Sequence, residues 1–263
     1  QHTDVEVAAE TDGVVAFTKP PGLLTHGRDS LERYAQDYLA ARIAPSLSFT
    51  PGPLHRLDRN TSGIVLFPKT REAAARFSEL LQTRGVTKRY IAMVDGKLMG
   101  SVTWEDRLRR DRDKGVTEVV TQSDQRSDQG EETPEAAPAG QHAPDGQQRE
   151  SEAWQRAAMS LHSLAVTRSG TAWYTLVDCR LHTGRTHQIR AQAAAHGHPL
   201  SGDGKYGGSK RKGGYILHAA ALGLDEPDAV LGFQEITSPL PRGLAEQLAA
   251  IFGMRAIPAE LRP

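Results

Sequence analysis

A chain of 263 residues is long enough to bury a substantial core, as one large domain or two small ones. Its uninterrupted apolar runs are only a few residues long, against the roughly 20 that cross a bilayer, and no basic-then-apolar leader opens it. The expected setting is therefore cytoplasmic with no membrane partner, and the single cysteine, Cys179, excludes an internal disulfide and a multi-cysteine zinc site. The chain starts at Gln1, which implies a cut or processed start.

In chain order, Val14 to Thr18 reads as a strand. Leu31, Tyr34, Ala35, Tyr38 and Leu39 fall at helical spacing behind Asp29 and Glu32, an approximation to a capping box. Ile64 to Phe67 is a short apolar strand, and Ala74, Phe77, Leu80 and Leu81 mark a second helix ended by Gly85. Tyr90 to Val94 is the next strand. Thr121 to Glu152, rich in Gln, Asp, Glu, Pro, Gly and Ala and without apolar periodicity, reads as a disordered insertion between two strands. Ala172 to Leu181 is a strand in which Cys179 shares a face with Val177 and Leu181, the place of a small buried apolar residue. A helix follows with Thr186 as N-cap and Gly197 as its stop, then a strand from Tyr215 to Leu224 and a helix through Leu244, Leu248, Ile251 and Phe252. Scattered helices among hairpin-spaced strands predict an α+β fold with a largely antiparallel sheet.

The formal charge of zero conceals an asymmetry. Thr121 to Glu152 holds eight acids and two arginines, so the rest of the chain has 30 basic residues against 24 acidic ones. That surplus suits a nucleic-acid partner, although a solvated basic face explains it equally.

Two segments carry the chemistry. In His55-Arg56-Leu57-Asp58-Arg59-Asn60-Thr61-Ser62-Gly63 a carboxylate lies between two arginines at the mouth of an apolar strand. Alternation puts Arg56 and Asp58 on one face, and a neighbouring positive charge favours an ionised carboxylate able to act as nucleophile or base. A structural ion pair on a strand end is the alternative. In Leu181-His182-Thr183-Gly184-Arg185-Thr186-His187-Gln188-Ile189-Arg190, two arginines, two histidines and a glutamine precede an alanine-rich stretch, and Arg185 falls at the donor-rich end of the predicted helix.

With Lys88-Arg89-Tyr90 between them, Gly197-His198-Pro199 and Gly202 to Gly207 after them, Leu217-His218-Ala219 further on and Lys19-Pro20-Pro21-Gly22 in front, these segments resemble, in order, the motifs of the RluA-type pseudouridine synthases. The resemblance spans almost the whole chain apart from the acidic insertion. It implies a bent mixed sheet with flanking helices and a central catalytic cleft, forming a single catalytic domain. It implies an isomerase that turns uridine into pseudouridine in RNA as a monomer, with no cofactor and no metal. Many relatives carry a small RNA-binding domain of the S4 type in front, and no such region precedes Val14.

By the family pattern Asp58 is the catalytic aspartate, Arg185 pairs with it, and Tyr90 stands against the flipped base. Arg56 fills the vacated stack or holds a phosphate. Arg59, Arg190 and Lys205 are expected at the RNA, where phosphate backbone, solvent and the base are equal alternatives as their contacts, while His187 and Gln188 orient the arginines. Large-subunit ribosomal RNA is the first expectation for the substrate and transfer RNA the second. Three other readings compete. His182, His187, His196 and His198 lack the His-Glu-x-x-His spacing of a metal enzyme. Gly202 to Gly208 lacks the spacing of a nucleotide-phosphate loop, and its glycines suit tight turns beside the cleft. A non-catalytic RNA-binding protein would tolerate loss of Asp58, which is present with its arginines.

Overall fold

The computed structural model describes residues 5–43, 49–122 and 153–263. The predicted insertion thus lies, but for Thr121 and Gln122, outside the described residues. Ten strands form one sheet: β1 Glu6–Glu10, β2 Val14–Lys19, β3 Ser62–Pro68, β4 Val86–Asp95, β5 Ser101–Asp111, β6 Val116–Val120, β7 Gln155–Ser169, β8 Ala172–Leu181, β9 Leu217–Asp228 and β10 Phe233–Thr237. Their order is β1-β2-β3-β9-β4-β8-β7-β5-β6, with β10 also on β9. The β3 and β9 pair, Ser62 opposite His218 and Gly63 opposite Ala219, is parallel, and the other described pairs are antiparallel. The fold is α+β.

Alternation along the strands sends side chains to two faces, each covered by helices. Val15 and Phe17 of β2, Val65 and Phe67 of β3 and Cys179 of β8 pack with Leu31, Ala35 and Leu39 of α1 (Leu31–Ala40) and with Ile189 and Ala193 of α3 (Gln188–Ala195). On the opposite face Val14, Ala16, Ile64 and Leu66 meet Phe77 of α2 (Arg71–Gln82), while Ile91 and Met93 meet Leu248 of α4 (Arg242–Phe252). Because β3 is covered on both sides, its sequence is a continuous apolar run. Cys179 is buried, and burial pushes its thiol up, away from reactivity.

Two predicted caps differ. The first-turn amides of α1 are taken by backbone, Leu31 N–H to Leu24 O and Glu32 N–H to Thr25 O, so Asp29 caps nothing and Ser30 occupies the N-cap position. Helix α3 starts at Gln188 with His187, not Thr186, as its N-cap.

The parallel crossing leaves no room for a side chain at Gly63. Its φ is +112°, and a Cβ there would lie 2.2 Å from the carbonyl oxygen of Ala219. Gly63→Ala is therefore expected to lower stability by about 3 kcal/mol or more, since backbone strain and overlap add at a site that cannot give. Urea unfolding measures this, and a variant within 1 kcal/mol, roughly the mean effect of any substitution, would show that the crossing relaxes.

Candidate active site

The site is built on a loop that the protein holds by its backbone. Residues 55–61 precede β3, with Leu57 buried beneath and Arg56 and Asp58 facing a cavity. Lys19, fully buried at the end of β2, donates to the carbonyls of Pro20 (3.0 Å), Leu23 (2.8 Å) and Arg59 (3.0 Å). Its burial pushes the amine down to about 7, partly opposed by the charge of Asp58. Thr25 exchanges two hydrogen bonds with the Leu57 backbone, and Gly22 N–H donates to Arg59 O. Four of these bonds join the Lys19-Pro20-Pro21-Gly22 turn and the residues after it to the aspartate loop.

Asp58, a quarter exposed, is gripped from α3. Arg190 Nη1 donates to Asp58 Oδ2 at 3.0 Å, while the same guanidinium makes a two-pronged contact with Asp203, Nε to Oδ2 at 2.6 Å and Nη2 to Oδ1 at 2.9 Å. Tyr206 and Tyr215 lie against its carbon at 5.0 and 4.6 Å. Burial opposes the charge on Arg190, but Asp203, Tyr215 and Asp58 outweigh it and the net shift is upward. Arg190 is therefore a permanent cation whose geometry is set by the almost fully buried Asp203 before it touches Asp58.

This corrects the expected pairing. Arg185 is not the partner of Asp58: its Nε donates to Arg156 O at 3.3 Å and it is exposed. The reason is the turn before α3. Gln188 accepts from Thr183 Oγ1 and from Arg185 N–H and donates to Ala158 O, and His187 adopts a left-handed backbone (φ 54°). Arg185 is left outside the helix, and Arg190, in its first turn, is carried inward. Gln188, buried and bonded to the protein through both its oxygen and its amide nitrogen, shapes the turn.

His187 lines the cavity with its Nε2 3.7 Å from Asp58 Oδ1. Burial pushes the ring down to about 4, with Arg190, Arg110 and Lys205 adding and Asp58 opposing, so it is neutral at pH 7. Tyr206 OH accepts from Thr117 N–H at 2.8 Å and donates to His187 Nδ1 at 2.8 Å, and Arg110 Nη1 is 3.3 Å from the same nitrogen. Nδ1 is the acceptor, which leaves the proton on Nε2, facing Asp58. Nitrogen NMR should show the Nε2–H tautomer and a titration midpoint near 4; a midpoint near 6.5 would mean the ring is open to water. Since the unfolded ring binds its proton from about 6.5 downward, this residue removes stability as pH falls from about 6.5 to about 4.

Tyr90 comes to the same cavity from β4, where the pairing with β9 shifts register between Arg89 and Tyr90. It is buried, and burial, with Cys179 and Asp58 adding, pushes its phenol upward, so it stays protonated. The cavity, about 70 Å³, shares Arg56, Leu57, Asp58, His187 and Arg190 with a wider mouth of about 390 Å³ where Arg59 and Lys205 stand. Arg56 is exposed at this rim, Arg59 Nε donates to Gly22 O, and Lys205 Nζ donates to Gly115 O. Arg185 stands between the cavity and a neighbouring groove that holds Arg109, Arg110 and Arg112.

Sequence reasoning passed over Asp203, Tyr206, Tyr215 and Lys19 as members of the site. The four histidines noted from sequence have separate partners: His182 meets Ser160, His187 Tyr206, His196 Asp106, and His198 the Asp95 carbonyl.

The architecture that carries this cleft is that of the pseudouridylate synthases. Human RNA Pseudouridylate Synthase Domain Containing 1 superposes with a TM-score of 0.68 over 96% of this chain and 89% of its own, at 19% identity. At the level of sequence, the pattern of the RNA pseudouridylate synthase family matches residues 13–195. Ribosomal large subunit pseudouridine synthase D of Xylella fastidiosa is 30% identical over 95% of this chain and 70% of its own length, and tRNA pseudouridine synthase C of Yersinia pestis is 27% identical over 85% and 82%. The chain belongs to the RNA pseudouridylate synthase family, as a member of its RluA type, and is an isomerase acting on uridines in RNA.

Proposed function

We propose that Asp58 is the carboxylate that opens the reaction, in a single catalytic domain acting on large-subunit ribosomal RNA. The observation that carries this is the asymmetric grip on Asp58: Arg190 holds Oδ2, while Oδ1, 3.7 Å from His187 Nε2, takes no hydrogen bond among the described residues, in a cavity that Tyr90 also lines. In the isomerisation the bond between N1 and C1′ breaks, the base turns, C5 bonds to C1′, C5 loses a proton and N1 gains one. Nothing is oxidised and nothing is transferred from outside, so the chain's own groups suffice. Asp58 acts on the sugar carbon or its proton, Arg190 keeps it charged, and protonated Tyr90 stands against the base as donor. The uridine must leave its stack, at a cost of a few kcal/mol, and Arg56 at the rim is placed to fill the gap.

Arg59 and Lys205 at the mouth hold phosphates. No helix among the described residues is long and apolar enough to cross a membrane. The enzyme is proposed to act as a monomer in the cytoplasm. Ribosomal RNA is favoured because the Xylella relative is named for it, and transfer RNA follows on the name of the Yersinia one. Pseudouridine mapping of total RNA from cells with and without the gene tests the reading. Loss of a discrete site in large-subunit ribosomal RNA is expected; loss confined to transfer RNA would move the substrate, and no loss in any RNA would favour a non-catalytic binding protein.

A further inference from the structure

The segment after Asp203 leads away from the cleft to a second basic feature that the isomerisation does not use. A hollow of about 430 Å³ is lined by Gly202, Gly204, Gly208, Ser209, Lys210, Arg211 and Lys212, with no carboxylate among them. The backbone N–H groups of Lys210, Arg211, Lys212 and Gly213 donate to no described protein acceptor. Lys210 and Lys212 are exposed, and neither has an ion-pair partner among the described residues.

The feature is held in shape. Ser209 gives its N–H and hydroxyl to the two oxygens of Asp95, which commits that carboxylate to the loop itself. Arg211 is anchored to Gly214 O at 2.6 Å and to the Gln247 side chain. Gly202 N–H bonds to Ser209 O and Gly208 N–H to Asp203 O. Gly208 is packed so closely that a Cβ there would fall 2.0 Å from Leu200 O. A braced loop with free cations and unpaired amide donors is a concave site for a phosphate oxygen.

We infer that this hollow docks a phosphodiester of the RNA outside the cleft, so that one loop both registers the RNA and orients the catalytic pair. The inference rests on the RNA substrate of the proposed function. Continuity supports it: Lys205 of the same loop stands at the cleft mouth beside Asp58, and Asp203 fixes Arg190.

The test is the full chain carrying Lys210→Ala and Lys212→Ala, assayed on the structured RNA that mapping identifies and on a short single-stranded oligonucleotide around the same uridine. The structured RNA should bind about tenfold more weakly, and the slope of log K against log salt should become shallower by roughly 1.5, as expected for two lost phosphate contacts. Rate at saturating RNA should stay within about twofold of wild type, as should all activity on the oligonucleotide. Unchanged affinity and salt slope would overturn the docking site. So would a rate loss shared by both substrates, which would mean the lysines act only through Asp203. If the unaltered enzyme makes no pseudouridine in any RNA, the function proposed above fails instead.

Discussion

Asp58→Asn is expected to leave a folded protein that binds RNA and makes no detectable pseudouridine, a loss of roughly 10⁴-fold or more in single-turnover rate. The amide keeps the shape of the side chain and can still accept from Arg190 Nη1, so the grip on the loop survives. What disappears is the negative charge and the lone-pair reactivity of the oxygen that faces the cavity. Stability should change little, because the loop is fixed chiefly by hydrogen bonds from Lys19, Thr25 and Gly22 to its backbone, and of these only Lys19 feels the lost Asp58 charge. Product release from a uridine-labelled RNA, with thermal unfolding in parallel, separates the two effects. Accumulation at the wild-type rate would remove Asp58 from the chemistry.

Much of this site was legible in the sequence because its parts lie in contiguous segments. The aspartate loop, the strand of Tyr90 and the helix after Leu181 each announce themselves by residue type and alternation, and Ala172 to Leu181 matches β8 residue for residue. What was not legible is what folding adds between segments. Asp203 looked like a turn residue in a glycine-rich loop, yet it is the group that fixes Arg190, thirteen positions away across the end of α3. The choice between Arg185 and Arg190 depended on where α3 begins. Thr186 is the stronger N-cap by residue preference, but the left-handed His187 and the Gln188 side chain set the start one residue later. The edge strands β1, β6 and β10, with β5 and the long β7, carry weaker patterns. Their inward residues alternate with polar ones or are interrupted, and register shifts in β1, β7 and β10 break the period further.

Arg190→Met is expected to have the larger structural effect of the two arginine changes and to stop catalysis as well. Removing the guanidinium strips Asp203, which is 2% exposed, of both its charged donors and leaves a buried carboxylate held by the Lys205 N–H with no countercharge bonded to it, a situation that costs about 3–5 kcal/mol. Asp58 loses its one side-chain donor within hydrogen-bond range among the described residues, so rate at saturating RNA should fall by orders of magnitude even where the protein stays folded. Two companion variants keep the result interpretable. Arg190→Lys restores a charge but not the planar fork that reaches two carboxylates at once, so it should recover stability more than rate. Arg185→Met should leave stability and saturated rate near wild type and weaken RNA binding instead, because Arg185 is exposed between the cavity and the neighbouring arginine groove. Urea unfolding and single-turnover kinetics over a range of RNA concentrations read all three. A folded Arg190→Met enzyme with full rate at saturation, or an Arg185→Met enzyme that loses rate while Arg190→Met does not, would place the catalytic ion pair on the other arginine.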